Sequence, residues 1–512
     1  MRSNHRLFRT VIAGLILIGS SQAIFAQQAL WDTYRDAGNQ QYAAGHYAEA
    51  ERLLRAALQA AESFNQSGGR VAKTLSDLAI VYEAQEKFLE AETLYVRALN
   101  NLLATRGPDD SETATVLANL ASFYSRAGKN DEAEAMVKRA LATIEARLGP
   151  GHPNTPTVLN NMAAIYTQLE KYGEAEPLYK RSLALMENIY GPQHPEVATP
   201  ISNLGCLNIL QGRFDLAESL LRRALTIREN TLGKEHPDVA ETINNLGHLS
   251  YLLGTYDQAE QLLLQSTASW EKSLGPEHSH VAFSLKSLGN VYKAKEKFDL
   301  SEQYYIRALT IMDKALGPHH PSVAMVQQYL AQLYFQQGKY DQAELLLHRA
   351  AESIQNRKGP DRTEMAIPLK ALADLKRAQG QIDDAQSYYK RVLAIRERNA
   401  TNNPQDSNAL NDLAWMQATC PDEQFRNAAK AFENANKAYQ MDGGNSSTYF
   451  HTLAAAYAEN RAYDQAKEWA AKAVQKTTSD RSKKIILDQI KLYEQQKPFR
   501  DEGKEFQTQR AL

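Results

Sequence analysis

Five histidines recur at intervals of 42 residues, and their type and regular spacing make them the first candidates for chemistry. They are His152, His194, His236, His278 and His320. Imidazole is a common metal ligand. If a helix pair repeats with this period, however, neighbouring rings lie about 10 Å apart, the thickness of such a pair. A zinc–nitrogen bond is only about 2 Å long. We therefore predict that these histidines help to turn loops and that the chain has no metal site.

Catalytic and cofactor motifs are absent from the sequence. It contains no HExxH, GxSxG, GxxxxGK or GxGxxG segment. Its two cysteines, Cys206 and Cys420, are far apart in the chain, and an elongated fold would keep them beyond the roughly 7 Å between Cα atoms that a disulfide tolerates. No basic or histidine neighbour in sequence would activate Cys206. We expect free thiols, no cofactor and no enzymatic activity.

The charge balance argues against nucleic acid as a partner. Lys and Arg number 58 and Asp and Glu number 60, which gives a formal net charge of -2. A nearly neutral chain lacks the long-range attraction to phosphates on which non-specific nucleic-acid binding depends. Hydrophobic residues make up 43% of the chain, so most of it should fold.

The first 26 residues resemble a secretory signal peptide. Arg2, Arg6 and Arg9 precede the apolar run VIAGLILIG, and small residues follow up to Ala26. We predict cleavage near Ala26 and export to the periplasm or the exterior, with an uncleaved anchor as the alternative. No second apolar run is long enough to cross a bilayer, so no stable membrane span is expected after cleavage.

Three markers repeat in one register and indicate an array of similar units. A Gly-Pro dipeptide recurs every 42 residues with Gly233-Lys234 as the one variant, histidine-proline pairs follow it except at His278-Ser279, and alanines, interrupted at Ser301, mark a third position. The Gly-Pro dipeptides begin at Gly107, Gly149, Gly191, Gly275, Gly317 and Gly359, and the alanines are Ala91, Ala133, Ala175, Ala217, Ala259, Ala343 and Ala385. A fixed period of this length is typical of repeat architectures.

Each unit reads as two helices. From Thr115 the apolar residues Leu117, Leu120 and Tyr124 follow helical spacing, which predicts a first helix, helix A. A second stripe, from Ala133 to Leu148, predicts a longer helix B, which the following Gly-Pro ends. Small residues such as Ala121, Gly205, Gly247 and Gly289 would let the paired helices approach closely.

These features resemble the tetratricopeptide repeat, and the string LGPxHPxVA is similar to the kinesin light chain subtype. The resemblance implies an all-α solenoid, a right-handed superhelix of antiparallel helix pairs. It suggests about nine repeats in residues 27–404, two shorter repeats in residues 405–475, and a capping helix with a polar tail in residues 476–512. Terminal units of such arrays need one polar face.

A row of amide side chains is predicted on the inner, A-helix surface. At about 100° per residue, the direction opposite the Leu117 stripe is occupied by Thr115, Asn119, Ser122 and Arg126. The Asn119 position recurs as Asp77, Asn161, Asn203 and Asn245. Asparagine can both donate to and accept from a peptide backbone. In tetratricopeptide families that bind peptides, Asn at this place contacts the ligand backbone, so the resemblance implies a peptide-binding groove.

Further groove positions add polar groups and apolar anchors. The polar residues are Ser122, Arg126, Gln168, His248 and Asn290; the apolar residues, predicted to face away from the core, are Leu210, Leu252, Phe283, Met325 and Tyr329. Charges are few, chiefly Lys73, Arg126 and Glu241. A clamp for a C-terminal carboxylate is therefore disfavoured, and we predict recognition of an internal extended segment of a protein partner.

Other interpretations remain open at this stage. The asparagines could be inherited on a solvated face, and the apolar residues could be covered by neighbouring helices or by the tail of the chain itself. The protein could instead organise an envelope complex or associate with itself, or it could be secreted to bind a host protein. The sequence does not identify the partner, the pathway or the oligomeric state.

Overall fold

The computed structural model of the 512-residue chain describes residues 28–63, 68–127, 129–149, 151–169, 171–358, 363–444, 446–477 and 479–502. The predicted signal peptide, residues 1–26, lies outside these ranges. Within them the regular elements are α-helices and two short 3-10 helices, without strands. The predicted all-α class is confirmed. None of the described helices combines the length and apolar character that crossing a membrane requires.

The chain divides into two compact units, residues 1–200 and 201–512. The first unit contains α1 (28–43), α2 (Tyr47–Glu62), α3 (Gly68–Ala84), α4 (Phe88–Thr105), α5 (Ser111–Arg126), α6 (Asn130–Leu148), α7 (Thr155–Gln168) and α8 (Tyr172–Tyr190). Helix α9 (Pro195–Leu210) begins before the division and ends after it.

The second unit continues with α10 (Phe214–Leu232), α11 (Pro237–Leu253), α12 (Tyr256–Leu274), α13 (Ser279–Ala294), α14 (Phe298–Leu316), α15 (Pro321–Gln336), α16 (Tyr340–Lys358), α17 (Ala366–Ala378), α18 (Ile382–Asn402), α19 (Ser407–Thr419), α20 (Ala428–Asp442), α21 (Ser447–Glu459), α22 (Tyr463–Lys476) and α23 (Asp480–Glu494). The 3-10 helices are Thr363–Met365 and Glu423–Phe425.

The helices pack as successive pairs, each an A helix followed by a B helix. Odd-numbered helices from α3 to α21 are A helices, and each of them other than α9, which crosses the division, packs most extensively on the B helix that follows it. A helices of successive repeats also touch one another, as α5 touches α7 in the first unit and α11 touches α13 in the second. A helices of successive pairs contact one another, whereas B helices mainly contact the A helices on either side. The stack of helix pairs within each unit therefore curves with its A helices on the inner side.

Histidines begin several A helices. The Nδ1 atom of His236 accepts a hydrogen bond from the backbone N–H of Asp238 at 3.1 Å, and Pro237 occupies the first turn. His194, His278 and His320 accept from the residue two positions later in the same way, whereas His152 accepts from Asn154, the residue before α7, and lies in the loop. A side-chain acceptor at this place satisfies a backbone N–H that the helix cannot. His236, His278 and His320 are therefore helix caps.

Glycine ends several B helices in a conformation with positive φ and extended ψ. Gly233 has φ 84° and ψ 156°. This combination of positive φ and extended ψ is accessible essentially to glycine alone. It ends the helix and turns the chain toward the next A helix, which explains why glycine recurs at this point.

Small residues on the A helices set the distance to their B helices. A Cβ atom built on Gly289 would lie 2.6 Å from the Cδ1 and Cε1 atoms of Tyr305, whose side chain is fully buried. Side chains of neighbouring repeats fill such spaces and form continuous hydrophobic clusters within each unit. The predicted packing role of Gly289 is thus visible in the pairing of α13 with α14.

The substitution Gly289→Ala tests this contact. We expect it to lower the free energy of unfolding by about 1–3 kcal/mol, because the new methyl group must displace the ring of Tyr305. Gly173→Ala is the matched control: space around Gly173 is open, so that change should be neutral or add up to about 1 kcal/mol. Chemical denaturation followed by circular dichroism measures both, and equal losses in the two variants would contradict the packing argument.

Candidate functional site

The four predicted asparagines lie on A helices and are partly exposed. Asn119 and Asn161 belong to the first unit, and Asn203 and Asn245 belong to the second. The Nδ2 atom of Asn119 donates to the Oγ atom of Ser76 at 3.2 Å. The side chains of Asn161 and Asn245 form no hydrogen bond with any described residue. Within each unit, amide groups are therefore displayed on the A-helix face, the surface formed by the A helices.

Charged residues predicted in the groove are paired within the fold. Asp77 accepts from Arg35 Nε at 2.7 Å and from Asn39 Nδ2 at 3.4 Å, and burial raises the pKa of its carboxyl. Arg126 donates to Glu83, Lys73 pairs with Glu112 at 2.9 Å, and Glu241 pairs with Arg228 at 2.9 Å. These side chains consequently have less to offer a partner than their sequence positions suggested.

Ser122 and Gln168 are the remaining polar candidates of the first unit. Ser122 is half-buried on α5, and Gln168 is exposed at the end of α7. The Oε1 atom of Gln168 accepts a hydrogen bond from the Oγ atom of Ser125 at 2.9 Å. The structure brings Gln168 next to α5 through this bond.

Two groove predictions are wrong. Asn290 is 3% exposed, and its Oδ1 atom accepts a hydrogen bond from the Tyr305 hydroxyl at 2.5 Å. Leu252 is 8% exposed, and Ser479 just before α23 donates to its carbonyl. Each residue is covered by another helix. Asn290 is covered by α14, the B helix that follows α13, and Leu252 is covered by α23, which packs on the end of α11.

The other apolar candidates separate into two groups. The prediction that Phe283 and Tyr329 face away from the core is wrong: both are partly buried and pack against the core of the second unit, where Tyr329 stacks on Tyr305 with 6.1 Å between ring centroids. Leu210 and Met325 are exposed, at 50% and 40%. Phe283 therefore exposes only part of its ring, whereas the side chains of Leu210 and Met325 are exposed to solvent.

A pocket of about 290 Å³ lies between α11 and α13 in the second unit. Its lining residues come from three successive helices and are Glu241, Asn244, Asn245, His248, Trp270, His280, Phe283, Lys286 and Ser287. Helical spacing explains the set, because residues 241, 245 and 248 share one face of α11 and residues 280, 283 and 287 share one face of α13. The predicted Asn245, His248 and Phe283 meet here.

The pocket contains a cation without a counter-charge. Lys286 is half-buried and forms no ion pair with a described residue, and burial lowers its pKa to about 8. Burial and the nearby Lys286 lower the pKa of His248 to about 4, so His248 is neutral at pH 7. The buried Oδ1 atom of Asn244 accepts no hydrogen bond within the described chain. The pocket thus offers an ammonium group and an amide in a partly dehydrated space.

Sequence reasoning missed Lys286. It stands one residue before the position that carries the asparagine row, between the core and groove directions of the helical wheel. A signal was nevertheless present, because Asn244 occupies the same position one period earlier. If the position just before the asparagine had also been compared between repeats, it would have predicted a lysine at the edge of the groove.

The tail of the chain lies on the A-helix face of three other repeats. Residues 497–502 are not helical and cross α17, α19 and α21. The backbone N–H of Asp501 donates to the carbonyl of Thr419 at 2.9 Å, and the Trp415 indole donates to Asp501 Oδ2 at 3.0 Å. Lys370 Nζ lies 3.3 Å from the same carboxylate oxygen.

Two further residues complete the contact of the tail. Arg500 pairs with Glu459 at 2.7 Å and donates to the carbonyl of Ala418 at 3.2 Å. The ring of Phe499 lies 5.8 Å from that of Trp415, centroid to centroid. A non-helical segment is thus held on these A helices by backbone, ionic and aromatic contacts at once.

The thiols and the histidines form no reactive centre within the described residues. Burial raises the pKa of both Cys206 and Cys420 to about 12, so neither is a thiolate at neutral pH. No group of three or more His, Cys, Asp or Glu side chains in the described ranges is arranged to hold a metal ion.

Replacing Lys286 tests the electrostatics of the pocket. The pKa of about 8 lies below the ordinary value of about 10.4, so the unfolded chain binds more protons than the folded chain between these values. Stability therefore rises with pH through this window, and the unfavourable contribution is complete below pH 8. We expect Lys286→Met to raise the free energy of unfolding at pH 7 by about 1–3 kcal/mol.

Lys293→Met is the matched control, because Lys293 lies on the same helix and donates to Gln332 at 2.5 Å. It should bring no gain. Urea denaturation at pH 7 and at pH 10 measures both variants against the wild type. If Lys286→Met is no more stable than the wild type at pH 7, burial of the Lys286 ammonium does not destabilise the folded chain.

Profiles of the tetratricopeptide repeat match residues 70–146, 112–187 and 154–230, and another matches residues 32–56. The profile of the MalT-like tetratricopeptide region matches residues 206–500. No curated protein is significantly similar in sequence.

Several solved structures are similar to parts of the chain. BtubC (BKLC) from P. vanneervenii is 27% identical over 47% of this chain and 93% of its own, with a TM-score of 0.35. A putative kinesin light chain from Podosopora anserina is 23% identical over 39% of this chain and 94% of its own, with a TM-score of 0.32. A Rap protein complexed with Competence and Sporulation Factor is 14% identical over 73% of this chain and 98% of its own, with a TM-score of 0.48.

The repeat scaffold is consistent with protein–protein interaction, and scaffolds of this kind are typically not enzymes. The MalT-like profile alone covers more than half of the chain, and repeat profiles match most of the part before it. The chain belongs to the tetratricopeptide repeat family and folds as an all-α solenoid of that type.

Proposed function

We propose that this protein is a non-catalytic scaffold that binds an extended segment of another polypeptide on its A-helix face. The observation that carries the proposal is the tail: residues 497–502, in a non-helical conformation, lie on α17, α19 and α21. The contact combines a main-chain hydrogen bond, two ionic contacts and one aromatic contact. A partner segment of similar shape finds the same kinds of groups on repeats that the described tail does not contact.

The asparagines supply backbone recognition in this proposal. The amides of Asn161 and Asn245 have no hydrogen-bond partner among the described residues, and each can both donate and accept. A peptide in an extended conformation exposes N–H and C=O groups whatever its side chains are. Each bond contributes about 0.5–1.5 kcal/mol, so several together suffice for binding in the micromolar range.

The place of action is also part of the proposal. Arg2, Arg6 and Arg9 followed by VIAGLILIG support export, and the partner is then a polypeptide of the periplasm or the exterior. Mass spectrometry of the mature N-terminus, with cleavage near Ala26, supports this part, whereas a retained N-terminus in the cytoplasm contradicts it.

The decisive experiment replaces Asn119, Asn161, Asn203 and Asn245 together by Ala. Crosslinking of the mature protein in its native compartment first identifies the partner, and binding of that partner to purified protein is then titrated. We expect the fourfold variant to bind at least tenfold more weakly, because the amides of Asn161 in the first unit and Asn245 in the second no longer bond to the partner backbone.

A matched control variant replaces four exposed asparagines on B helices: Asn100, Asn188, Asn230 and Asn356. It removes the same number of amides from the opposite side of the helix pairs and should bind as the wild type does. Equal affinity of both fourfold variants would show that the asparagine row does not contact the partner.

A further inference from the structure

Two lysines occupy the same repeat position on A helices of the second unit. Lys286 on α13 and Lys370 on α17 are 84 residues apart, which is two periods of 42. Lys370 is 8% exposed and Lys286 is half-buried. Equivalent positions in a solenoid present their side chains in the same direction, so the surroundings of Lys370 indicate what Lys286 can bind.

Lys370 holds a carboxylate of the non-helical tail, residues 497–502. Its Nζ atom lies 3.3 Å from Asp501 Oδ2 and 3.4 Å from the carbonyl oxygen of Asp501. The Trp415 indole donates to the same carboxylate, and Phe499, two residues earlier in the tail, packs against Trp415. The bound motif is therefore an acidic residue with an aromatic residue two positions before it.

The residue that neutralises Lys370 is missing at Lys286. Four residues after Lys370, Asp374 pairs with it at 2.8 Å and also accepts from the Tyr389 hydroxyl at 2.6 Å. The equivalent residue after Lys286 is Asn290, which accepts from the equivalent Tyr305 hydroxyl at 2.5 Å. The hydrogen bond is kept while the negative charge is lost. Lys286 therefore retains its full charge without an internal counter-ion.

The other charged groups at the pocket do not replace that counter-ion. Glu241 is paired with Arg228 at 2.9 Å, and His248 is neutral at pH 7. Trp270 is only 2% exposed and its indole donates to the carbonyl of Pro237 at 3.1 Å, so it forms the floor of the pocket and offers no free N–H. The donors open to an incoming anion include Lys286 and the amides of Asn244 and Asn245.

We propose that the pocket between α11 and α13 binds the side-chain carboxylate of an aspartate or glutamate in an extended polypeptide segment, with Lys286 as its counter-ion. An aromatic side chain of the same segment packs against the exposed part of Phe283. The inference rests on the proposed function and specifies the segment that this part of the A-helix face selects: acidic, with an aromatic residue close by.

A peptide with the sequence of residues 496–502, acetylated and amidated at its ends, is the probe. Its binding to the full-length chain is measured by titration calorimetry. We expect Lys286→Met to weaken binding at least tenfold, while Lys293→Met on the same helix leaves it unchanged. A peptide carrying Asp501→Asn and Glu502→Gln should bind weakly to both the wild type and the variants.

Proton uptake gives a second readout that a merely structural role of Lys286 would not move. A carboxylate bound beside Lys286 raises the pKa of the ammonium from about 8, so binding at pH 8 takes up a fraction of a proton. The uptake is obtained from titrations in buffers with different ionisation enthalpies. It should be present in the wild type and absent in Lys286→Met.

Three results overturn the inference: no binding of the peptide to the wild type, equal binding to Lys286→Met, or equal binding of the uncharged peptide. None of them decides the proposed function, which depends on capture of the natural partner and on the asparagine variant. Conversely, loss of asparagine dependence with Lys286-dependent peptide binding would leave the pocket assigned and the wider scaffold role rejected.

Discussion

The close approach of each A helix to its B helix is the constraint on which the rest of the structure depends. A Cβ atom on Gly247 would lie 2.8 Å from Leu263 Cγ, and one on Gly205 would lie 2.9 Å from Leu221 Cγ. With no side chain between them, the two helices of a pair are held at one distance, and the pairs stack with a constant period. Equivalent residues then reach equivalent places on the A-helix face. A single exchange, such as Asp374 against Asn290, changes the charge of one site without disturbing the fold.

This constraint also shapes the chemistry of the A-helix face. Charges that stand near the packed helices are paired with neighbouring repeats, as in Arg126 with Glu83 and Lys73 with Glu112, because unpaired charges in a partly dehydrated surface are costly. Neutral amides carry a smaller cost and can remain without a partner. An unpaired ammonium at Lys286 departs from this rule. Strained groups of this kind concentrate at sites that bind something, which makes the pocket a stronger candidate than its modest volume suggests.

The sequence predicted the class and the helix pairs well because both follow from local rules. Apolar periodicity located α5 and α6, the Gly-Pro dipeptides located the ends of B helices, and small residues located the tight contacts. The site was only partly predictable. A helical wheel treats one helix alone, so it could not show that Tyr305 of α14 reaches Asn290, or that α23, more than 220 residues later in the chain, covers the end of α11. The state of Lys286 depends on its neighbours across the pocket and on the residue four positions later, which a wheel does not weigh.

The tail and the pocket together show how one repeat position can be used in two ways. At Lys370 the tail brings Asp501 close to the existing Asp374; burial and this second carboxylate raise the pKa of Asp374 to about 6, against the opposing effect of Lys370. Placing two carboxylates on one ammonium is therefore partly repulsive. At Lys286 the equivalent residue is Asn290, and that repulsion does not arise. A carboxylate arriving there meets an uncompensated cation in a partly dehydrated pocket, where the attraction is stronger than in bulk water. The contact between Lys370 and Asp501 is therefore weakened by the neighbouring Asp374. The contact that we propose between Lys286 and a carboxylate of the partner has no such neighbour.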